Sequence, residues 1–262
     1  MDSIREDLFQ VSPIFIAMSF FVIIFTLNWF GYRTRKRAYT RAPDKEVAFG
    51  AAEGSLLGLM ALLLAFSFGM STTKFEARRQ LIVDEANLIN TAILRYYLYP
   101  DSVRQSLLPD FKNYLDSRIR YFDAGDNPAK IKATLDDAGK DFNDIWNKTV
   151  LLARNIDNKS RAEQMVPVLI SMNNIVTTRE AGRVAAVPSL ILIVLLLLVF
   201  SASFLTGFGT KPGNRNRVFA FAFAFMTTVV LYLVMELSRP RQGYINLGNA
   251  EQNLVNLKKK LS

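Results

Sequence analysis

Apolar and polar positions along this chain are organised on two scales. On the coarse scale four runs, 8–32, 54–73, 184–210 and 218–235, carry no charged side chain, and they stand in two pairs around a long polar block. Crossing the hydrocarbon core takes about 20 mostly apolar residues in a helix. Each run therefore predicts a transmembrane helix. The expected fold is all-α: four transmembrane helices in two pairs, with an antiparallel helical bundle inserted between helices 2 and 3. The corresponding segments are 1–73 (helices 1 and 2), 74–183 (extramembrane bundle), 184–236 (helices 3 and 4) and 237–262 (a basic C-terminal tail).

On the fine scale the polar block repeats at three and four residues, the period of an α-helix with one buried face. From Lys74 the series Phe75, Ile82, Ala86, Ile89, Ile93 and Tyr96 has Arg79 as its one polar member. Nothing interrupts the pattern at Thr73, so the second span is expected to continue as one helix to about Tyr97, reaching well clear of the bilayer. Asp101 is expected to cap a second helix to about Phe122, with Leu108, Phe111, Leu115 and Phe122 on one face and a kink at Pro109. After a turn at 124–127, Asn127 followed by Pro128 signals an N-cap and first-turn proline. Ile131, Leu135, Ala138, Phe142, Ile145, Thr149 and Leu152 then mark a third helix, whose stripe is nearly a heptad seam. A fourth, through Ala162, Val166, Leu169, Val176 and Glu180, is expected to feed directly into the third span, with bends at Pro167 and Pro188. These stripes are read as core packing.

Charge adds a topology. The 262 residues carry a net charge of +9. The basic residues crowd beside the apolar runs, with Arg33, Arg35, Lys36, Arg37, Arg41 and Lys45 the densest cluster, so anionic lipid headgroups explain them better than nucleic acid does. The acidic N-terminal segment has no basic n-region or small-residue cleavage site, and no removable signal peptide is read there. Short loops rich in Lys and Arg stay in the cytoplasm. That rule places the two short loops inside, and both termini and the polar block outside, although Lys74, Arg78, Arg79, Arg179 and Arg183 flank the block on its own side. The chain has no His and no Cys, which removes most transition-metal sites, thiol nucleophiles, His-assisted triads and disulfides. No catalytic, cofactor or metal residue is assigned.

Three groups of residues remain as candidates. Gly50, Gly54, Gly58, Ala61, Ala65 and Gly69 recur at three and four spacings along the second span, and such small ridges let helix backbones approach in lipid. They predict packing against another span of the chain, or a subunit contact or pore-facing helix. On the same helix Gly58, Leu62, Phe66 and Met70 sit four apart as candidate pore-facing residues, since apolar constrictions gate by dewetting. Asp84, Glu85, Asn87 and Asn90 lie just beyond the second span. Asn173, Asn174, Thr177, Thr178 and Arg179 lie just before the third. Paired antiparallel, these two polar groups meet, setting register or lining an aqueous vestibule. Glu53 and Glu236 are expected near the headgroups. The sequence 236–243 stops the fourth span at Pro240, and the tail beyond it is read as a surface helix or a flexible segment.

Gly58 to Phe68 leading into Phe75-Glu76-Ala77-Arg78-Arg79, then Glu85-Ala86-Asn87, Thr91 with Arg95, Asn173 with Arg179, and Arg239-Pro240 with Gly243 together resemble the bestrophin-like family of bacterial membrane proteins. The resemblance covers most of the chain. Bestrophins are pentameric anion channels with four spans per subunit and a helical domain between spans two and three, so it implies an oligomeric ion conduit. In those channels a phenylalanine after a short apolar run on span two narrows the pore, and Leu64 to Phe66 is similar to that run. Gly58 departs from the bulky residue expected there, and the acidic calcium clasps of animal bestrophins have no match. The resemblance also places the helical domain and both termini in the cytoplasm, against the charge count, which we keep. The expected partners are the bilayer, further copies of the chain and ions. The alternative is a non-conducting sensor or scaffold that binds a partner through its helical domain. An enzyme ranks third, because no nucleophile with its base can be assembled.

Overall fold

The computed structural model describes residues 13–41, 50–125, 127–184, 187–213, 216–238, 245 and 247–261. Among these residues there are eight α-helices and no strand: α1 (Pro13–Arg41), α2 (Gly50–Tyr96), α3 (Asp101–Asp123), α4 (Pro128–Ala153), α5 (Lys159–Val184), α6 (Ser189–Gly209), α7 (Arg217–Ser238) and α8 (Gly248–Lys260). The fold is all-α, with four helices long and apolar enough to cross a membrane. The chain divides into two compact units. The first is Met1–Thr73 with Ala186–Ser238, and the second is Lys74–Ala185 with Arg239–Ser262.

In the first unit α6 has 21 residues, about 30 Å of helix and so the thickness of a hydrocarbon core. Its apolar side chains point both ways. Ile24, Met60, Leu64, Leu195, Val199, Ala202, Ala224 and Leu231 form the core, while Phe15, Met18 and Val22 of α1, Leu190 and Leu197 of α6, and Phe219 and Met226 of α7 are exposed. An outward apolar surface of this kind is the solvent-facing side of a protein whose solvent is lipid. α1 packs on both α6 and α7.

The α1–α6 contact is built from small and polar groups. A Cβ on Gly31 would land on the carbonyl oxygen of Phe204, and one on Gly207 on the carbonyl oxygen of Asn28. Backbone therefore meets backbone, which only glycine allows. Hydrogen bonds lock the seam: the Asn28 amide donates to Thr206 Oγ1 at 3.1 Å and to the Ser203 carbonyl at 3.4 Å. The Ser203 hydroxyl donates back to the Ile24 carbonyl at 2.5 Å. Each of these polar groups would be costly in hydrocarbon without its partner.

The second unit is a helical bundle around Ile89, Ile93 and Tyr96 of α2, Leu107, Phe111 and Leu115 of α3, Ile145 of α4, and Met165, Leu169 and Met172 of α5. α3 packs on α4 and α4 on α5, each pair joined by a short turn and hence antiparallel. Asn127 caps α4 as the sequence predicts, its side chain accepting from the Lys130 amide at 3.1 Å, with Pro128 in the first turn. The single 47-residue helix α2 likewise passes Thr73 without a break.

Five local expectations are corrected. Asp101 does not cap α3; it lies in the first helical turn and pairs with Arg104, where a carboxylate also suits the positive end of the helix dipole. Pro188 does not bend a continuous helix, because it stands extended before α6 and pushes Val187 out of helical geometry. The polar residue buried on the α2 stripe is Arg78, whose Nε donates to the Gly182 carbonyl, while Arg79 is exposed. Glu236, expected where water reaches it, is buried within the protein. The tail forms α8, whose Leu254 and Leu257 join the core of the second unit, because its apolar residues recur at helical spacing. Arg239, Pro240, Arg241 and Gly243 lie outside the described residues.

Because its Cβ would strike backbone, Gly207→Val is expected to cost about 2–3 kcal/mol or more through overpacking. Gly69→Ala meets open space and should be neutral or gain up to about 1 kcal/mol from helix propensity. Thermal unfolding of the detergent-solubilised protein measures both, and an unchanged midpoint for Gly207→Val would mean that α1 and α6 do not meet there.

Candidate functional site

Within the first unit α2 presents two faces. Met60, Leu64, Ser67 and Ser71 turn inward and are buried. The other face carries Gly54, Gly58, Ala61, Ala65 and Gly69 in one ridge and Leu62 and Phe66 in another, all exposed. Leu62 is 66% and Phe66 56% exposed, and nothing lies within 4 Å of a Cβ on Gly54, Gly58 or Gly69. The small ridge is thus not covered by another span among the described residues. The glycines that do bring spans together within the chain are Gly31 and Gly207, which the sequence reading passed over. Met70 is half-buried at the end of the large ridge; Gly50 is the first residue of α2, and its surroundings lie outside the described residues. Glu53, on the same helix, lies against Gly209.

In the second unit the two polar groups flanking the spans do meet, through Glu85 and Arg179. Glu85 of α2 is fully buried between two guanidiniums, Arg118 of α3 and Arg179 of α5. Arg179 also pairs with Glu251 of α8. The result is a chain of two cations and two anions drawn from four helices and closed off from water. Tyr121 supplies an aromatic face to both arginines, with guanidinium carbons 4.7 Å and 5.3 Å from its ring centre. Its hydroxyl donates to Glu180 at 2.7 Å, and Arg183 also holds Glu180.

Burial by itself would raise the Glu85 carboxyl. The attraction of Arg118 and Arg179 and their hydrogen bonds outweigh it and bring it down from 4.5 to about 2. Glu251 has one guanidinium rather than two, and there burial wins and pushes the carboxyl up. The remaining members of the predicted polar set stay outside the network. Asp84 accepts from Gln80 at 2.8 Å, and Asn87 and Asn173 are exposed. Asn173 instead lines an apolar groove of about 430 Å³ between α4 and α5, with Tyr114, Gly139, Phe142, Val176 and Thr177. Among the described residues no group of three His, Cys, Asp or Glu gathers as a metal site.

No family model matches the sequence, and no curated protein does. Solved structures do match. Crystal structures of a bacterial bestrophin homologue from Klebsiella pneumoniae, two of them single-residue variants, superpose with TM-scores of 0.69, 0.70 and 0.66 at 14%, 12% and 14% identity. They cover 91%, 95% and 92% of this chain and 99%, 99% and 98% of the homologue. The fold is bestrophin-like. Identity this low carries the architecture and leaves the side chains to be read on their own.

Within the bestrophin-like frame, the sequence reading found Glu85 and Arg179 but missed Arg118 and Glu251. Arg118 stands seven residues after Phe111 and one turn beyond Tyr114, so it continues that helix's buried stripe and was legible as a charge on an apolar face. Glu251 carried no such signal, since the tail was not expected to pack. The arrangement satisfies charges that would otherwise be stranded in the interior.

Arg118→Met leaves Glu85 buried with one guanidinium and is expected to cost about 3–5 kcal/mol, whereas Lys258→Met, which breaks a half-exposed pair with Asp116, should cost about 0–1 kcal/mol. The pH dependence follows from the signs. Glu85, depressed in the fold, contributes stability that is present above its ordinary 4.5 and lost as pH falls through about 2. Glu251, raised, works in the opposite sense and contributes most below its ordinary value. In Arg118→Met Glu85 is less depressed, so the stability lost on acidification should be smaller and its loss should be complete at higher pH. Unfolding midpoints taken across pH 2–7 test this, and equal losses in the two variants would overturn the role given to the network.

Proposed function

We propose that the protein is an oligomeric ion conduit of the bestrophin type, conducting anions across a bacterial inner membrane. The observation that carries this reading is the uncovered face of α2. Small residues at Gly54, Gly58, Ala61 and Ala65 let α2 helices of neighbouring subunits approach closely. The adjoining Leu62 and Phe66, with Met70 a turn further on, then face a shared axis. Closed rotational symmetry turns one such exposed ridge into a ring. A ring of Leu62 and Phe66 side chains forms an apolar constriction, and with Gly58 one turn before Leu62 the narrowing begins at Leu62.

Purified protein in planar bilayers is expected to pass current, with a reversal potential under a salt gradient that shifts in Phe66→Ala. Silent bilayers across salts and voltages would count against conduction. They would favour a second reading, a non-conducting sensor or scaffold, for which the groove between α4 and α5 supplies a surface of ligand size. By the charge rule we further propose that the helical domain is extracytoplasmic. A membrane-impermeant thiol reagent should label Ala129→Cys in intact cells, the natural chain having no other Cys; protection until the cells are opened would reverse the orientation.

A further inference from the structure

The cations that follow the first span do not stand alone. α1 continues beyond the apolar run as helix to Arg41, and Arg33, Lys36 and Arg37 fall at three and four spacings on one exposed face. Arg35 points elsewhere, its guanidinium carbon 5.7 Å from the ring centre of Phe208 on α6. The connection between α6 and α7 returns to the same place, where the Gly213 amide donates to the Tyr32 hydroxyl at 3.5 Å. That short connection brings Lys211 and Arg217, both exposed, to the end of α1. Two basic segments far apart in sequence thus share one end of the first unit, and among the described residues none of these cations is paired with a carboxylate. Glu53 lies at this end against Gly209 and holds none of them.

The order along α1 has a depth. Exposed apolar side chains end at Phe30; Trp29, 40% exposed, carries the Arg33 guanidinium 5.1 Å from its ring centre. Exposed Tyr39 follows among the cations. Hydrocarbon, then aromatic belt, then cations is the sequence a helix meets on leaving a leaflet, and the cations fall at phosphate depth. Nucleic acid would have to reach them within that layer. We infer that this end of the first unit is a composite binding site for anionic phospholipid headgroups, formed by Arg33, Lys36 and Arg37 with Lys211 and Arg217. The conduction reading does not enter this inference.

Full-length protein, delipidated in detergent, is offered phosphatidylglycerol or phosphatidylcholine of identical acyl chains, and bound lipid is counted by native mass spectrometry. Phosphatidylglycerol should be retained about tenfold over phosphatidylcholine, as expected of a few juxtamembrane cations. Arg33→Gln/Lys36→Gln/Arg37→Gln should erase that preference, and Lys130→Gln/Lys132→Gln/Lys140→Gln on α4 should preserve it. Equal retention of the two lipids by the natural chain would overturn the site, whether or not the triple variant folds. A matching loss in the α4 variant would reduce the effect to overall charge, and displacement of phosphatidylglycerol by equimolar inorganic phosphate would make it a free-phosphate site.

Discussion

Charge burial is the constraint on which the second unit rests. Glu85, Arg118, Arg179 and Glu251 come from four helices and are withdrawn from water together. An ion in a dry interior is tolerable only when its partner is placed to meet it. None of these helices can slide or rotate alone without stranding a charge. Such a network is poor evidence of stability beyond what an apolar core would provide. Through the Arg179–Glu251 pair it ties α8 to the bundle.

The first unit solves the opposite problem. Lipid tails are as apolar as leucine, so burying leucine against leucine drives little association there. Contact is made instead by removing side chains at Gly31 and Gly207 and adding short hydrogen bonds at Asn28, Ser203 and Thr206. These serve the chain's own packing. The similar ridge on α2, from Gly54 to Gly69, has no such partner among the described residues. Small residues in a membrane helix thus have two fates here, and the difference is whether a second backbone of the same chain lies opposite.

Much of the architecture was legible because its signals are local. Apolar run length announces membrane helices, and Asn127-Pro128 announces a helix start through a cap and a preset backbone angle. The stripe of α4 needed only periodicity. Elsewhere the stripes held at most positions and single residues differ: Leu107 is fully buried beside the partly buried Leu108, and Arg78 is buried where Arg79 was expected. At 3.6 residues per turn, adjacent positions differ by about 100°, and the facing helix decides which of them is inside.

The sequence by itself determined that this chain is helical, where its membrane helices fall, and that one of them runs on unbroken past Thr73, because hydrophobicity, periodicity and proline act over a few residues. Only the tertiary structure decided which charges are satisfied and which glycines matter. Glu85 and Glu251 look alike as isolated carboxylates, as Gly58 and Gly207 do as isolated glycines. Their roles depend on groups far away in sequence: the two guanidiniums around Glu85, and the Asn28 carbonyl against Gly207.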